Sequence, residues 1–206
     1  IQFPFLKTQT VYNYIDLKEV EKSQNQSDKY ILSIARMDQE NVKQVDILLA
    51  CYAKSILLKQ NTRLIILGDG VRLDEMKSLA KKLKISDFVD FKGFEPNPEY
   101  YLKNALFTVL TSKYEGLPTV LVESLLMQTP VISFDCETGP NEVIVHKFNG
   151  LLIENQNKEK MVEGMNELAT NEEFYQSLKE NSYKSVNKFQ IKTIKEKWNK
   201  LINDTL

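Results

Sequence analysis

Residues Phe107–Asp135 read FTVLTSKYEGLPTVLVESLLMQTPVISFD. Residues 107–112 (FTVLTS) form an apolar, β-branched run of strand length, and residues 130–135 (PVISFD) form a second. Between them, residues 119–127 (TVLVESLLM) continue as a helix, and Pro118 suits its first turn, where a missing N–H is not needed. Strand, helix, strand is the unit that builds a parallel sheet. The connection carries two glutamates with seven residues between them, Glu115 in a Gly-Pro turn and Glu123 in the second helical turn. At ~1.5 Å per helical residue and up to ~3.5 Å per extended one, their carboxylates reach roughly 10–15 Å apart. That is the span of a nucleotide sugar from its ribose to its hexose. The N–H groups of the helix start between them suit a diphosphate. The bland alternative is an amphipathic helix with one solvated Glu. Against it, Glu123 is the only charge in an apolar run, and such a charge is costly unless paired or bound.

The same alternation extends in both directions. Strand-like runs occupy residues 30–35, 63–68, 88–93, 107–112, 130–135 and 150–154. Helical runs occupy 45–59, 72–83, 99–104, 119–127 and 141–145, and then 158–169, 172–187 and 193–203. The strands are apolar on both faces, as buried parallel strands should be. The pattern predicts an α/β fold: a doubly wound, mostly parallel, Rossmann-like sheet with a helical C-terminal extension. Right-handed crossovers then gather the strand C-terminal ends on one edge, where ligands bind.

Composition narrows the chemistry. The 206 residues are enough for one domain with a real core. A formal net charge of −1 gives no case for nucleic acid. One histidine, His146, is too few for a His-rich metal site, and no Cys/His spacing resembles a metal motif. Two unclustered cysteines, Cys51 and Cys136, fit a reducing compartment. No apolar run approaches the roughly 20 residues needed to span a bilayer, and no signal peptide is visible. The chain starts at Ile1, so a piece of a longer protein is expected.

Each strand end offers ligand groups. After the first come Arg36 and Lys43, a planar fork and a point charge able to clamp a diphosphate. After the second comes Gly68-Asp69-Gly70, which fails as a dinucleotide fingerprint because the third glycine position is Leu73. After the third comes Phe91-Lys92-Gly93-Phe94, and after the fourth Ser112, Tyr114, Glu115 and Gly116. The fifth leads into Asp135-Cys136-Glu137-Thr138-Gly139-Pro140-Asn141-Glu142. Cys136 reads as a buried filler, His146 as a surface residue, and Glu142 as a cap for the short helix after Gly139-Pro140.

Together these stretches resemble the group 1 glycosyl transferases, retaining enzymes of GT-B architecture. The resemblance rests on the two glutamates spaced as Glu115 and Glu123, the S-x-x-E-G spacing from Ser112, the unit ARMDQENVKQVDILLACY (35–52), Gly68-Asp69-Gly70 and the DCETGPNE run. It extends back to Val11-Tyr12-Asn13-Tyr14-Ile15-Asp16, which resembles the family's interdomain hinge. Gln44, Ala35 and Gln128 stand where the family usually has Asn, Gly and Gly. Glycine at the last position typically ends the helix in a left-handed conformation.

The resemblance implies one half of a GT-B fold. Residues 1–28 would be a hinge or linker from an N-terminal acceptor domain, 29–190 the nucleotide-sugar-binding domain, and 191–206 a C-terminal helix. It implies Arg36, Lys43, Glu115 and Glu123 as catalytic residues. Gly68, Phe91, Lys92, Gly93, Gly116, Leu117, Pro118, Thr119 and Val120 would join them in binding the donor. It further implies a UDP-sugar donor, no metal or other cofactor, and a glycan or lipid-linked acceptor in cell-surface polysaccharide synthesis. The site would be cytoplasmic, and lysines of the last helices, including Lys188 and Lys197, allow peripheral contact with the inner membrane surface. A non-catalytic nucleotide-sugar-binding or scaffolding module and a GT-B sugar-nucleotide epimerase are the alternatives.

Overall fold

The structure, a computed structural model, describes residues 9–15 and 29–203. Most of the expected linker, including Asp16 of the hinge-like stretch, lies outside the described residues. Six strands form one sheet: β1 (Tyr30–Ile34), β2 (Arg63–Leu67), β3 (Val89–Gly93), β4 (Thr108–Leu110), β5 (Val131–Phe134) and β6 (Gly150–Ile153). Their order is β3-β2-β1-β4-β5-β6, and every neighbouring pair is parallel. The eight α-helices among the described residues are α1 (Val45–Lys54), α2 (Leu73–Lys82), α3 (Glu99–Asn104), α4 (Thr119–Leu126), α5 (Pro140–Val143), α6 (Lys158–Thr170), α7 (Glu172–Ser185) and α8 (Ile191–Asn203).

The two-residue period of the strands separates two cores. Ile31, Leu64, Ile66, Val109, Ile132, Phe134 and Leu151 face one side and pack with Leu48 and Leu49 of α1, Met76 of α2 and Met161 of α6. Their neighbours Leu32, Ile65 and Leu67 face the other side, with Leu102 of α3. Leu110 and Val131 also lie there, with Leu121, Val122 and Leu125 of α4. Register keeps the sides consistent: Ile31 stands beside Leu64, and Val109 beside Ile132. A strand covered on both faces has no use for polar alternation, which is why these runs are apolar throughout.

Several boundaries differ from the expected ones. The helix expected over 45–59 stops at Lys54, because Ser55 is extended and its hydroxyl bonds the Tyr52 carbonyl at 2.8 Å. A 3-10 turn, Ile56–Leu58, follows; its first amide bonds Asn166 Oδ1 of α6 at 2.8 Å, and Leu57 is buried. Tertiary partners outweigh helix propensity here. The helix expected over 172–187 ends at Ser185, and a 3-10 turn, Asn187–Phe189, drives Phe189 into the core. The last helix begins at Ile191 rather than 193. Gln128 takes φ 61°, so the left-handed exit from α4 is retained without the glycine.

Candidate active site at the C-terminal edge of the sheet

The strand order reverses between β1 and β4, so the loops leaving these two strands lie side by side. Such a switch point is where open α/β sheets hold ligands. The two loops are tied together: the Lys113 amide bonds the Val42 carbonyl at 2.8 Å, and the Thr111 hydroxyl bonds the Lys43 and Gln44 carbonyls at 3.1 Å each. Gln44, just before α1, has φ 47° and is buried, with its side-chain amide paired to that of Gln156.

This arrangement brings Lys43 onto Glu115. Lys43 Nζ lies 2.6 Å from Glu115 Oε1, and the side chains are 25% and 9% exposed. Ser112 Oγ donates to the same Oε1 at 2.5 Å. The Glu115 backbone is held as well, its amide reaching the Glu137 carbonyl at 3.4 Å and its carbonyl accepting from the Thr138 hydroxyl. Gly139 makes this packing possible. Its φ is +90°, and a Cβ there would meet the Gly116 carbonyl oxygen at 2.0 Å. Cys136 is buried beside this cluster, and burial pushes its thiol up to about 11, so it is no thiolate nucleophile. Arg36 is exposed, without a protein partner among the described residues.

Past Glu115 the chain enters α4, with Pro118 at the cap position. Among the described residues the amides of Thr119 and Val120 have no partner, as the first turn of a helix requires, and those of Gly116 and Leu117 just before the cap have none either. One turn on, Glu123 is half-buried. Burial holds its carboxyl above the usual carboxylate range, the Thr119 hydroxyl opposes this, and the nearby Glu99 adds to it. The site thus disfavours the bare charge of this acid.

The other expected ligand groups divide. Gly68 and Gly70 face the chain itself: a Cβ would meet the Ala35 carbonyl oxygen at 2.2 Å in the first case and that of Met37 at 2.2 Å in the second. Both glycines are therefore required by the close passage of the loop after β1, without appeal to a ligand. The Phe91 ring is partly buried and packs against the core, whereas Lys92 is exposed and Phe94 is 78% exposed just beyond the end of β3. Phe94 is an exposed aromatic at this edge, and its signal in the sequence is its place directly after an apolar strand. Glu142 does not cap α5: Gly139 stands at the cap, and the Glu142 carboxylate accepts from Tyr12 Oη at 2.6 Å. Lys188 donates to the Glu142 carbonyl and lies over the Tyr12 and Phe189 rings, and Lys197 also approaches Tyr12. Those two lysines bind the hinge-like segment rather than pointing outward. His146 is exposed, and its Nδ1 accepts from the Leu152 amide at 3.1 Å.

In the sequence Ser112 stands out by its spacing alone. A serine three residues before a glutamate in a turn can close onto that carboxylate, and here it does. Among the described residues no three His, Cys, Asp or Glu side chains cluster to hold a metal ion, and no helix is long and apolar enough to cross a membrane.

Residues 16–185 match the family Glycosyl transferases group 1, and the chain belongs to it. It is 34% identical over 163 residues to the N-acetylgalactosamine-N,N'-diacetylbacillosaminyl-diphospho-undecaprenol 4-alpha-N-acetylgalactosaminyltransferase of Campylobacter jejuni, covering 77% of this chain and 43% of that protein. It is 29% identical over 207 residues to the poly(ribitol-phosphate) alpha-N-acetylglucosaminyltransferase of Staphylococcus aureus, covering 98% of this chain and 41% of that one. The crystal structure of an S. aureus TarM variant in complex with fondaparinux, alpha-GlcNAc-glycerol and UDP superposes with a TM-score of 0.84 at 26% identity, over 98% of this chain and 40% of that one. The chain thus spans about two fifths of the length of these relatives.

Proposed function

We propose that this chain is the donor-binding half of a retaining glycosyltransferase that moves a hexose or N-acetylhexosamine from a UDP sugar to a glycan or lipid-linked acceptor in cell-surface polysaccharide synthesis. The observation that carries the reading is the joining of Lys43, from the loop after β1, to Glu115, from the loop after β4, at the switch point of a group 1 domain. The names of the relatives favour N-acetylhexosamine transfer, and the UDP in the TarM complex favours that nucleotide.

In this reading Glu123 accepts from the ribose hydroxyls and Glu115 from hydroxyls of the transferred sugar. The diphosphate lies between them, against the amides of Gly116 to Val120. An ammonium has three donors, so Lys43 keeps one on Glu115 and turns two to phosphate oxygens. Arg36 supplies the second cation. As the bond from the anomeric carbon to the β-phosphate oxygen breaks, charge builds on the departing UDP, and fixed cations stabilise it in place. The acceptor oxygen attacks the same face of the sugar and forms the new bond as its proton passes to the leaving phosphate, which keeps the anomeric configuration. Two cations on the diphosphate do the work of a divalent metal, so none is required. The acceptor is held by an N-terminal domain reached through the segment at Tyr12. The enzyme works in the cytoplasm, against the inner membrane surface where the acceptor is lipid-linked.

Calorimetric titration of the chain with UDP, GDP and ADP in EDTA tests this. UDP binds, and at ~100 times its dissociation constant it stabilises the fold by ~2.7 kcal/mol. Binding that appears only after Mg²⁺ or Mn²⁺ is added would sink the metal-free part. A preference for GDP or ADP would sink the choice of nucleotide.

A further inference from the structure

We infer that Ser112 is a positioning residue for donor-sugar recognition, acting through Glu115. Ser112 is 1% exposed, and its hydroxyl donates to Glu115 Oε1 at 2.5 Å, the short distance of a charge-assisted bond. Lys43 Nζ reaches the same oxygen at 2.6 Å. Both protein donors therefore load one carboxylate oxygen, and among the described residues none reaches Oε2. The carboxylate is fixed in rotation with one oxygen committed to the protein and the other left to accept from a ligand.

Two donors on one oxygen are not redundant. Lys43 is a long side chain whose ammonium also serves the diphosphate in the function proposed above, on which this inference rests. Its hold on Glu115 weakens as phosphate oxygens compete for it. Ser112 is short and buried, and it lies two residues past β4, whose neighbours on both sides are strands of the sheet. Its hydroxyl is tied to the rigid scaffold, so it keeps Glu115 oriented while Lys43 is shared. A hydroxyl also adds no charge, so the Glu115 carboxylate stays a strong acceptor. Ser112 touches no substrate; it sets the direction from which a sugar hydroxyl must donate.

The test separates the sugar's share of binding from the nucleotide's. The chain is titrated with UDP, UDP-GalNAc and UDP-GlcNAc, and the ratio of the UDP dissociation constant to that of the better sugar nucleotide is the readout. In wild type the ratio exceeds one, and Glu115→Ala abolishes the gain. Ser112→Ala and Ser112→Cys lower the ratio on the order of tenfold, or to the Glu115→Ala level if that is reached first, while UDP affinity stays within about twofold. Ser112→Thr, which keeps the hydroxyl, restores it. A purely structural serine would instead shift the UDP affinity and the melting temperature together. If any folded variant lacking the hydroxyl keeps the wild-type ratio while Glu115→Ala loses it, the role of Ser112 is refuted and the proposed function stands. If Glu115→Ala itself leaves the ratio unchanged, the assignment of Glu115 to the sugar fails, and the role of Ser112 with it.

Discussion

At the scale of single residues, Glu123 carries a conflict between stability and function. Burial raises its pKa in the fold above the unfolded value, so the folded state binds more protons between the two values. Its contribution is favourable below the unfolded pKa and is lost as pH rises through the folded one. At neutral pH the ionised Glu123 is therefore a cost. Glu123→Gln should raise the melting temperature at pH 7, with the gain fading as the pH is lowered through the carboxylate range. The same change should weaken UDP by ~1–3 kcal/mol if its carboxylate holds the ribose. Thermal melts from pH 3.5 to 8, paired with UDP titration, check both halves. A variant that melts below wild type at pH 7 would show that Glu123 is paired more favourably than its surroundings indicate. Asp90 is the opposite case. The Arg63 guanidinium, bonded to it through two contacts of 2.9 Å, holds its carboxyl below the usual range. Its stabilisation is complete above the unfolded pKa and is lost as pH falls through the folded one. Arg63→Met should cost about 1 kcal/mol at pH 7, and the difference from wild type should shrink as Asp90 protonates in both proteins, in the same melts.

At the scale of elements, the turns carry the constraints. Gln128 ends α4 with φ 61°, a conformation that suits glycine. Gln128 is exposed, so its side chain is not needed for packing. Gln128→Gly should stabilise by up to ~1 kcal/mol, about 2–4 °C in melting temperature for a domain of this size. An unchanged or lower melting temperature would mean that the entropy lost by ordering glycine cancels the relief. Gly139 is the reverse. At φ +90°, with the Gly116 carbonyl against it, Gly139→Ala must displace the loop that carries Glu115. A loss of at least ~2 kcal/mol is expected, together with weakened sugar-nucleotide binding. Denaturant melts and the titrations already described measure the two effects. Retained binding at wild-type affinity would show that the Glu115 loop is positioned without Gly139.

At the scale of the whole molecule, the sheet is covered on both faces, while the proposed reaction needs a cleft with two walls. Among the described residues no buried side-chain nitrogen or oxygen lacks a partner. The relatives are more than twice as long as the segment they share with this chain. Residues 1–206 should therefore fold and bind donor without transferring sugar. An acceptor must be held within ~3–3.5 Å of the anomeric carbon, and one face of a cleft cannot do that. Slow hydrolysis of the donor is compatible with this. Labelled UDP sugar and a lipid or glycan extract provide the assay, and transfer by residues 1–206 at a steady catalytic rate would show that this half suffices.

The period of the apolar residues determined the strands, the parallel sheet and its C-terminal ligand edge, because burial on both faces leaves no other pattern for a strand. Glu115, Glu123, Lys43 and Arg36 could be named as candidates from the sequence too, since their spacing from strand ends is local. Only the tertiary structure decided how those residues meet. Lys43 and Glu115 lie 72 positions apart, and it is the reversal of strand order beside β1 that makes them an ion pair. The same holds for Gly68, whose lack of a side chain answers to the Ala35 carbonyl, and for Phe91, packed against the core while Phe94 stays out. Likewise Ser55 breaks a helix that propensity would continue, because Asn166 of α6 takes the next amide. Periodicity is a property of neighbours along the chain; contact across a sheet depends on which strands lie side by side.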